Sequence, residues 1–275
     1  MARKKVLITV TTYPLPSRSY DELVCTAGIL ENGEWIRIYP VPLKFLRGLR
    51  EDGKVKSFKY NWIEIDLRRR TEDFRPESHS PINYNFEDLI VHGELDTREN
   101  WVHRKEICLQ NVYTNFDELI ENSKAPKNVS LATFKPTKII AFEIKEDIRE
   151  WKDEWKELRK QGDLFETDKP VEINIPKLPY KFYYKFIDET GKERRLMIED
   201  WEIGALYWNC LRDAEGDEEI ALKKVRQKYE TQFLDGNDIY LFLGTTKEWH
   251  TRRANNPFVI IGVFYPKKVT QASLF

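Results

Sequence analysis

Cysteine is scarce in this chain: three residues in 275. Cys25, Cys108 and Cys210 are odd in number and widely spaced, which excludes a disulfide framework and fits a reducing compartment. Histidine is almost as rare, at four. There is no Cys-x-x-Cys and no His-x-x-x-His pair, so no structural zinc is expected and no metal ligands are assigned. A glycine-rich phosphate loop, a Ser-x-x-Lys and a Gly-x-Ser-x-Gly are also missing, which argues against an NTPase or a serine hydrolase and leaves no cofactor to expect. Net charge is lacking too: 45 basic residues balance 46 acidic ones. A generally basic nucleic-acid coat is thereby excluded, and any basic patch must be local. Long apolar runs are absent. The run Val6–Val10 behind Arg3-Lys4-Lys5 is too short for a signal-peptide core, and no window approaches a membrane span. A cytoplasmic protein without a membrane partner is expected.

What is present is core material. A hydrophobic content of 41%, with 13% aromatic, suffices for one large or two ordinary domains at this length. The first half reads as short strands. Val6–Thr12 and Glu22–Ile29 are apolar runs, and Asn32-Gly33 is a hairpin turn pair. In Glu34–Tyr39, alternation sets Trp35, Arg37 and Tyr39 against Ile36 and Ile38, and Pro40 and Pro42 close the segment. Lys59–Arg68 alternates likewise, with Ile63, Ile65 and Leu67 on the inner side. Ile107–Tyr113 and Lys138–Lys145 are further strand candidates, and Asn115 caps a short helix to Glu121. Asp147–Lys160 has helical spacing at Ile148, Trp151, Trp155 and Leu158, a core stripe before a base-stacking platform.

Gly162–Pro176 loses periodicity and reads as a linker. The second half predicts a hairpin, Tyr180–Phe186 and Arg194–Ile198. Two helices follow, one over Glu199–Leu211 with Trp201, Ala205 and Trp208 on a face, the other over Asp217–Phe233. The strands Ile239–Leu243 and Phe258–Phe264 are continuously apolar, hence covered on both faces. The expected class is α+β: a β-rich small barrel, OB-like or PUA-like, over residues 1–161, a linker over 162–176, an α+β domain over 177–266 and a tail over 267–275.

The segment Cys25-Thr26-Ala27-Gly28 followed by Gly33-Glu34-Trp35-Ile36-Arg37-Ile38-Tyr39-Pro40 resembles the opening of dual-OB-like barrel modules found in bacterial mobile-element and phage-defence proteins. That resemblance implies that Arg37 and Tyr39 line an open barrel face and meet phosphate and base. The alternative is an ion pair of Arg37 with Glu22 or Glu64. More widely, the chain resembles an uncharacterised bacterial family through Thr12-Tyr13-Pro14, the Trp35–Pro40 strand, Ile198-Glu199-Asp200-Trp201-Glu202, Phe242-Leu243-Gly244-Thr245-Thr246 and Ile260-Ile261-Gly262-Val263-Phe264. No activity comes with that resemblance.

Two polar loops are candidate grips for DNA or RNA phosphates: Arg68-Arg69-Arg70 with Arg75 and His79, and His250-Thr251-Arg252-Arg253 beside Thr245 and Thr246. Solvated loops are the plainer reading. Arg37, Tyr39, Arg68, Arg70, His250, Arg252 and Arg253 are the expected nucleic-acid-binding set. Asp200 and Glu202 flank Trp201 at a helix start, where the dipole alone explains acids. Glu143-Ile144-Lys145 matches half of a restriction-type nuclease core. The missing acid, Asp117, falls in a helix, so a metal-dependent nuclease or another nucleic-acid-modifying enzyme is kept only as the alternative to a non-enzymatic module, with a protein-binding adaptor as the third reading.

Finally, Gln271-Ala272-Ser273-Leu274-Phe275 and Gln161-Gly162-Asp163-Leu164-Phe165 share the pattern Gln-x-(Ser/Asp)-Leu-Phe. Both resemble the peptide by which bacterial DNA-working proteins hook onto the sliding clamp. Gln271, Leu274 and Phe275, with Gln161, Leu164 and Phe165, are the expected clamp-binding residues. Burying each apolar side chain is worth roughly 1.5–3 kcal/mol, against about 1–2 kcal/mol per residue for ordering the segment, so each hook alone is weak. A frayed terminus and a helix end are the alternatives.

Overall fold

A computed structural model describes residues 2–13, 15–16, 22–42, 45–46, 57–151 and 176–269. Both Gln-x-x-Leu-Phe segments and nearly all of the expected linker lie outside these residues.

The chain is a mixed α/β protein with a β-rich first unit and a second unit of sheet and helices. In the first unit β1 (Ala2–Thr11) pairs antiparallel with β3 (Glu22–Leu30) and with β5 (Asn61–Arg69). Strand β4 (Trp35–Pro42) follows β3 through the Asn32-Gly33 turn, where Gly33 takes φ 80° as a tight hairpin requires. The short β6 (Ser78–Pro81) bridges β4 to β5 and closes a five-stranded barrel. The two-residue β2 (Leu15–Pro16) and β7 (Ile90–Glu94) add to β3 and β5. Alternation does the work the sequence promises on β5: Ile63, Ile65 and Leu67 point inward and are buried, with Val6, Ile8, Ile36 and Ile38.

The second unit is a seven-stranded sheet in the order β10-β11-β12-β14-β13-β9-β8. These strands are β8 (Val112–Tyr113), β9 (Leu131–Phe134), β10 (Lys138–Glu146), β11 (Tyr180–Ile187), β12 (Glu193–Ile198), β13 (Tyr240–Thr245) and β14 (Phe258–Phe264). Strands over 112–146, grouped by sequence with the first domain, therefore pair into the second sheet. The sheets part between Glu94 and Val112. Sequential strands usually neighbour one another, but here β9 finds its register on β13, more than a hundred residues away.

The helices are α1 (Arg98–Cys108), α2 (Phe116–Asn122), α3 (Trp201–Arg212), α4 (Glu218–Arg226) and α5 (Lys247–Thr251), with a π-helical turn over Gln227–Gln232 after α4. Asn115, Asp200 and Asp217 each accept the hydrogen bond of a capped backbone N–H, as their side chains suit. Two expectations fail. Ile107 and Cys108 end α1 rather than start a strand, because the segment from Arg98 is charged and docks through Trp101, Arg104 and Cys108 rather than by alternation. Residues 147–151 are not helical; Asp147 instead ties Lys177 and Lys181 beside the start of β11, and the remainder of that expected helix lies outside the described residues.

Strands β13 and β14 are apolar throughout because both faces are covered. Leu241, Leu243, Ile260 and Val263 face the helices, among Ile203, Tyr207, Val225 and Tyr229. Phe242, Ile261 and Phe264 face the barrel, against Leu7, Val10, Ala27 and Ile29 of β1 and β3. The barrel and the sheet thus share one apolar cluster.

Candidate functional site

The predicted cation loops are 170 residues apart in sequence, yet they lie side by side. Arg75 donates to the Thr245 carbonyl at 2.9 Å, Lys247 to the Glu72 carbonyl at 3.2 Å, and the Phe74 ring meets the His250 ring edge-on at 4.8 Å. Beneath them runs a buried polar seam. Arg37, 4% exposed, donates to Ser130 Oγ at 2.8 Å, to the Ser130 carbonyl at 3.2 Å and to Ser78 Oγ at 3.4 Å. The Glu77 carboxylate accepts from the Ser130 backbone and hydroxyl and from the Leu131 amide. Asp73 accepts from Arg75 at 2.6 Å and from Ser78. Burial raises the Asp73 carboxyl, but the Arg75 hydrogen bonds and charge outweigh it and hold the group well below the ordinary carboxylate range.

Arg37 is therefore not on an open barrel face, nor paired as the alternative had it. Glu64 is engaged by Arg3 and His92, and the side chain of Glu22 lies outside the described residues. Both faces of β4 are covered, one by the barrel interior and one by the second sheet, so alternation could not say which face met water. His250 is also buried. Its Nε2 lies 2.6 Å from the Ser123 carbonyl and its Nδ1 3.0 Å from Thr245 Oγ1. A carbonyl only accepts, so Nε2 carries the proton and Nδ1 accepts from Thr245. Burial pushes the imidazole below its ordinary value, against the raising influence of the Ser123 bond.

The remaining predicted cations stay at the surface. Arg68, Arg252 and Arg253 are exposed. Arg70 bonds Glu72 at 2.7 Å and lies 5.3 Å from the ring centroid of half-buried Tyr39. Arg252 pairs with Glu248 and lies over Trp249 at 5.5 Å. Between them sit two aromatics that sequence reasoning passed over, Phe74 at 41% and Trp249 at 49% exposure. Each is an apolar residue in an otherwise polar loop, Glu72-Asp73-Phe74-Arg75-Pro76 and Lys247-Glu248-Trp249-His250, and that mismatch was the available signal. Arg75, Lys247 and the Phe74–His250 ring contact hold the two segments together, and Arg37 anchors the seam beneath on Ser130; Phe74, Trp249, Arg70, Lys247, Arg252 and Arg253 are what the two segments present.

The nuclease half-motif is not assembled. Glu143 on β10 pairs with Arg195, and Asp117 on α2 pairs with Lys192 and Arg194. Among the described residues no three His, Cys, Asp or Glu side chains gather as metal ligands would. No helix among them is long and apolar enough to cross a membrane.

Residues 112–275 match the Domain of unknown function DUF8757, and residues 2–110 match the Domain of unknown function DUF8758. The chain belongs to the DUF8757 family. The break between the two matches falls where the sheets part. No curated protein matches the sequence. Among solved structures, a murine DNA-binding protein bound to double-stranded DNA overlaps 99% of this chain and 100% of its own, at 8% identity and a TM-score of 0.33. The tetrameric p202 HIN2 overlaps 98% and 92%, at 9% identity and a TM-score of 0.30. Likeness at this level carries no argument about ligand or fold.

Proposed function

We propose that the protein binds nucleic acid through the face built by the 70–77 and 246–253 loops, as a non-enzymatic module. One observation carries this reading: Phe74 and Trp249 stand exposed on adjoining segments, the 70–77 loop and α5, with the Arg252 guanidinium over the Trp249 ring and Arg70, Lys247 and Arg253 on the same two segments. Unpaired bases stack on aromatic faces, and guanidinium and ammonium groups track the phosphates. Lone exposed aromatics are ordinary; two of them on adjoining segments that also carry four cations suit a stacking platform, with Arg70 and Arg252 exchanging Glu72 and Glu248 for phosphate. The platform favours single strands, whose bases are free to stack.

Fluorescence anisotropy with labelled single-stranded DNA and RNA, and with duplex, tests it across a salt series. Trp249→Ala and Phe74→Ala are each expected to weaken single-strand binding by about 1–3 kcal/mol. Arg252→Ala/Arg253→Ala is expected to flatten the salt slope by roughly 0.7 for each phosphate no longer neutralised. Absence of binding at low salt refutes the reading.

The clamp-hook reading of Gln271, Leu274 and Phe275, with Gln161, Leu164 and Phe165, is supported by the repeated pattern in the sequence. It would recruit the same module to replicating DNA, in keeping with a mobile-element or defence role. Retention by purified clamp of the wild type but not of Leu274→Ala/Phe275→Ala is its expected result.

A further inference from the structure

A second concavity lies at the other end of β5 from the loop face, where the barrel meets α3 and the π-helical turn. It encloses about 300 Å³. Its walls are aromatic: Tyr60 and Trp101 from the barrel side, Tyr229, Phe233 and Tyr265 from the second unit.

The backbone here is unusual on both sides. Tyr60 and Trp101 adopt φ values of 62° and 63°, and Glu99 and Asn100 before Trp101 are left-handed as well. Residues with a Cβ adopt that region at an energetic cost and hold it only where surroundings fix it. They are fixed. Tyr60 donates its amide to Ile8 and accepts from Leu95, while the Asn100 side chain bonds both the amide and the carbonyl of Lys267. On the facing wall, Tyr229 belongs to the π-helical turn, a distortion that recurs at functional sites.

Polar groups open into the cavity without protein partners. Asp200 is 1% exposed, and its side-chain hydrogen bonds, from the Ile203 amide and the Tyr229 hydroxyl, both fall on Oδ1. Among the described residues, Asp200 Oδ2 and the Tyr60 and Tyr265 hydroxyls make no hydrogen bond. The nearby charges are mostly spent: Lys59 pairs with Glu202 and Arg104 with Glu94. Lys228, whose ammonium lies 5.2 Å from the Phe233 ring, has no ion-pair partner among the described residues.

These features select a ligand. The Phe233 and Tyr265 rings stack at 4.1 Å and Trp101 meets Tyr265 edge-on at 4.9 Å; such an aromatic wall beside a buried carboxyl suits a planar heterocycle with hydrogen-bonding edges, and the unpaired Lys228 suits an anionic group attached to it. An organic cation is disfavoured, because the Arg104 guanidinium already lies 3.9 Å from the Tyr60 ring centroid. The volume is at the low end for small-molecule sites, enough for one nucleotide and no more. We propose that this cavity binds a single nucleoside monophosphate unit, its base against Trp101 and Tyr265 with an edge on Asp200, its phosphate on Lys228.

Isothermal titration of the full chain with the four ribonucleoside 5′-monophosphates, their nucleosides and inorganic phosphate tests this. At least one monophosphate is expected to bind one-to-one, with inorganic phosphate about tenfold weaker or more. Lys228→Ala, at a half-exposed position, is expected to weaken the monophosphate about fivefold and leave the nucleoside unchanged. Tyr265→Ala should weaken both, and Trp249→Ala neither. Competition by a short single strand assigns the unit to a strand, and lack of competition to a free nucleotide; either outcome supports the pocket. Failure of every monophosphate to bind at roughly millimolar concentration overturns it. So does binding lost in Trp249→Ala but intact in Lys228→Ala, which would move the ligand to the loop face and leave the proposed function standing.

Discussion

Arg37 of the barrel and Ser130, which leads into β9 of the second sheet, are joined by both terminal guanidinium nitrogens, at 2.8 Å to the hydroxyl and 3.2 Å to the carbonyl. The same Ser130 is held by Glu77. A buried guanidinium thereby fastens the two units. Arg37→Ala removes charge-assisted bonds and leaves a void, and should cost about 2–4 kcal/mol in urea unfolding. Arg37→Lys should recover only part, since an ammonium lacks the planar fork. Alanine within about 0.5 kcal/mol of wild type would contradict the fastening role.

Tyr13 makes a second fastening. Its ring stacks on Trp201 at 5.8 Å, its hydroxyl accepts from Trp208 Nε1 at 2.9 Å, and its ring lies where a Cβ on Gly204 would project. Gly204→Ala should therefore cost about 1–3 kcal/mol. In a Tyr13→Ala background that cost should largely vanish, a non-additivity visible in a double-mutant cycle.

His250 gives a pH dependence of one sign. Its folded-state pKa lies below 6.5, through burial first and then the charges of Arg75 and Arg37, opposed by the Ser123 bond and Glu77. The unfolded chain takes up the proton first as pH falls, so the contribution of neutral His250 is complete above about pH 6.5 and is lost below it. The stability advantage of wild type over His250→Gln should shrink on acidification. A pH-independent difference would show that His250 does not titrate between the two states.

Asp200 gives the opposite sign. Burial first, then the Glu202 charge, raises its carboxyl to about 7 from an ordinary 3.8. The folded protein holds this proton more tightly, so stability falls as pH rises from about 4 to about 7 and levels off beyond. Asp200→Asn keeps an acceptor for the Ile203 amide without the charge. It should match wild type near pH 4 and exceed it near pH 8, as read from melting temperatures.

Local chemistry was legible in the chain. Asn32-Gly33 dictated a hairpin, period-two spacing in Asn61–Leu67 dictated which side chains turned inward, and Asn115, Asp200 and Asp217 announced helix starts. Where sequence reading failed, two local signals competed or none existed. The polar stretch from Arg98 hides a helix entered through three left-handed residues, a conformation no propensity favours. The face carrying Trp201 and Trp208 was visible, but its partner, Tyr13, was not.

The motifs Thr12-Tyr13, Trp35–Pro40, Ile198–Glu202 and Phe242–Thr246 looked like separate marks along the chain. Thr12 bridges to Asp200, Tyr13 stacks on Trp201, Arg37 bonds Ser130, and Thr245 accepts from Arg75. They are the seam between two units. Sequence alone determined the Asn32-Gly33 turn, the longer strands β1, β3–β5 and β10–β14 and the helix starts at Asn115, Asp200 and Asp217, because those depend on neighbours within a few residues; the short β2, β6, β7 and β9 have too few residues to show a period. Only the tertiary structure decided that Arg37 and His250 are structural while Phe74 and Trp249 face water, because burial of a charge depends on which distant strand covers it.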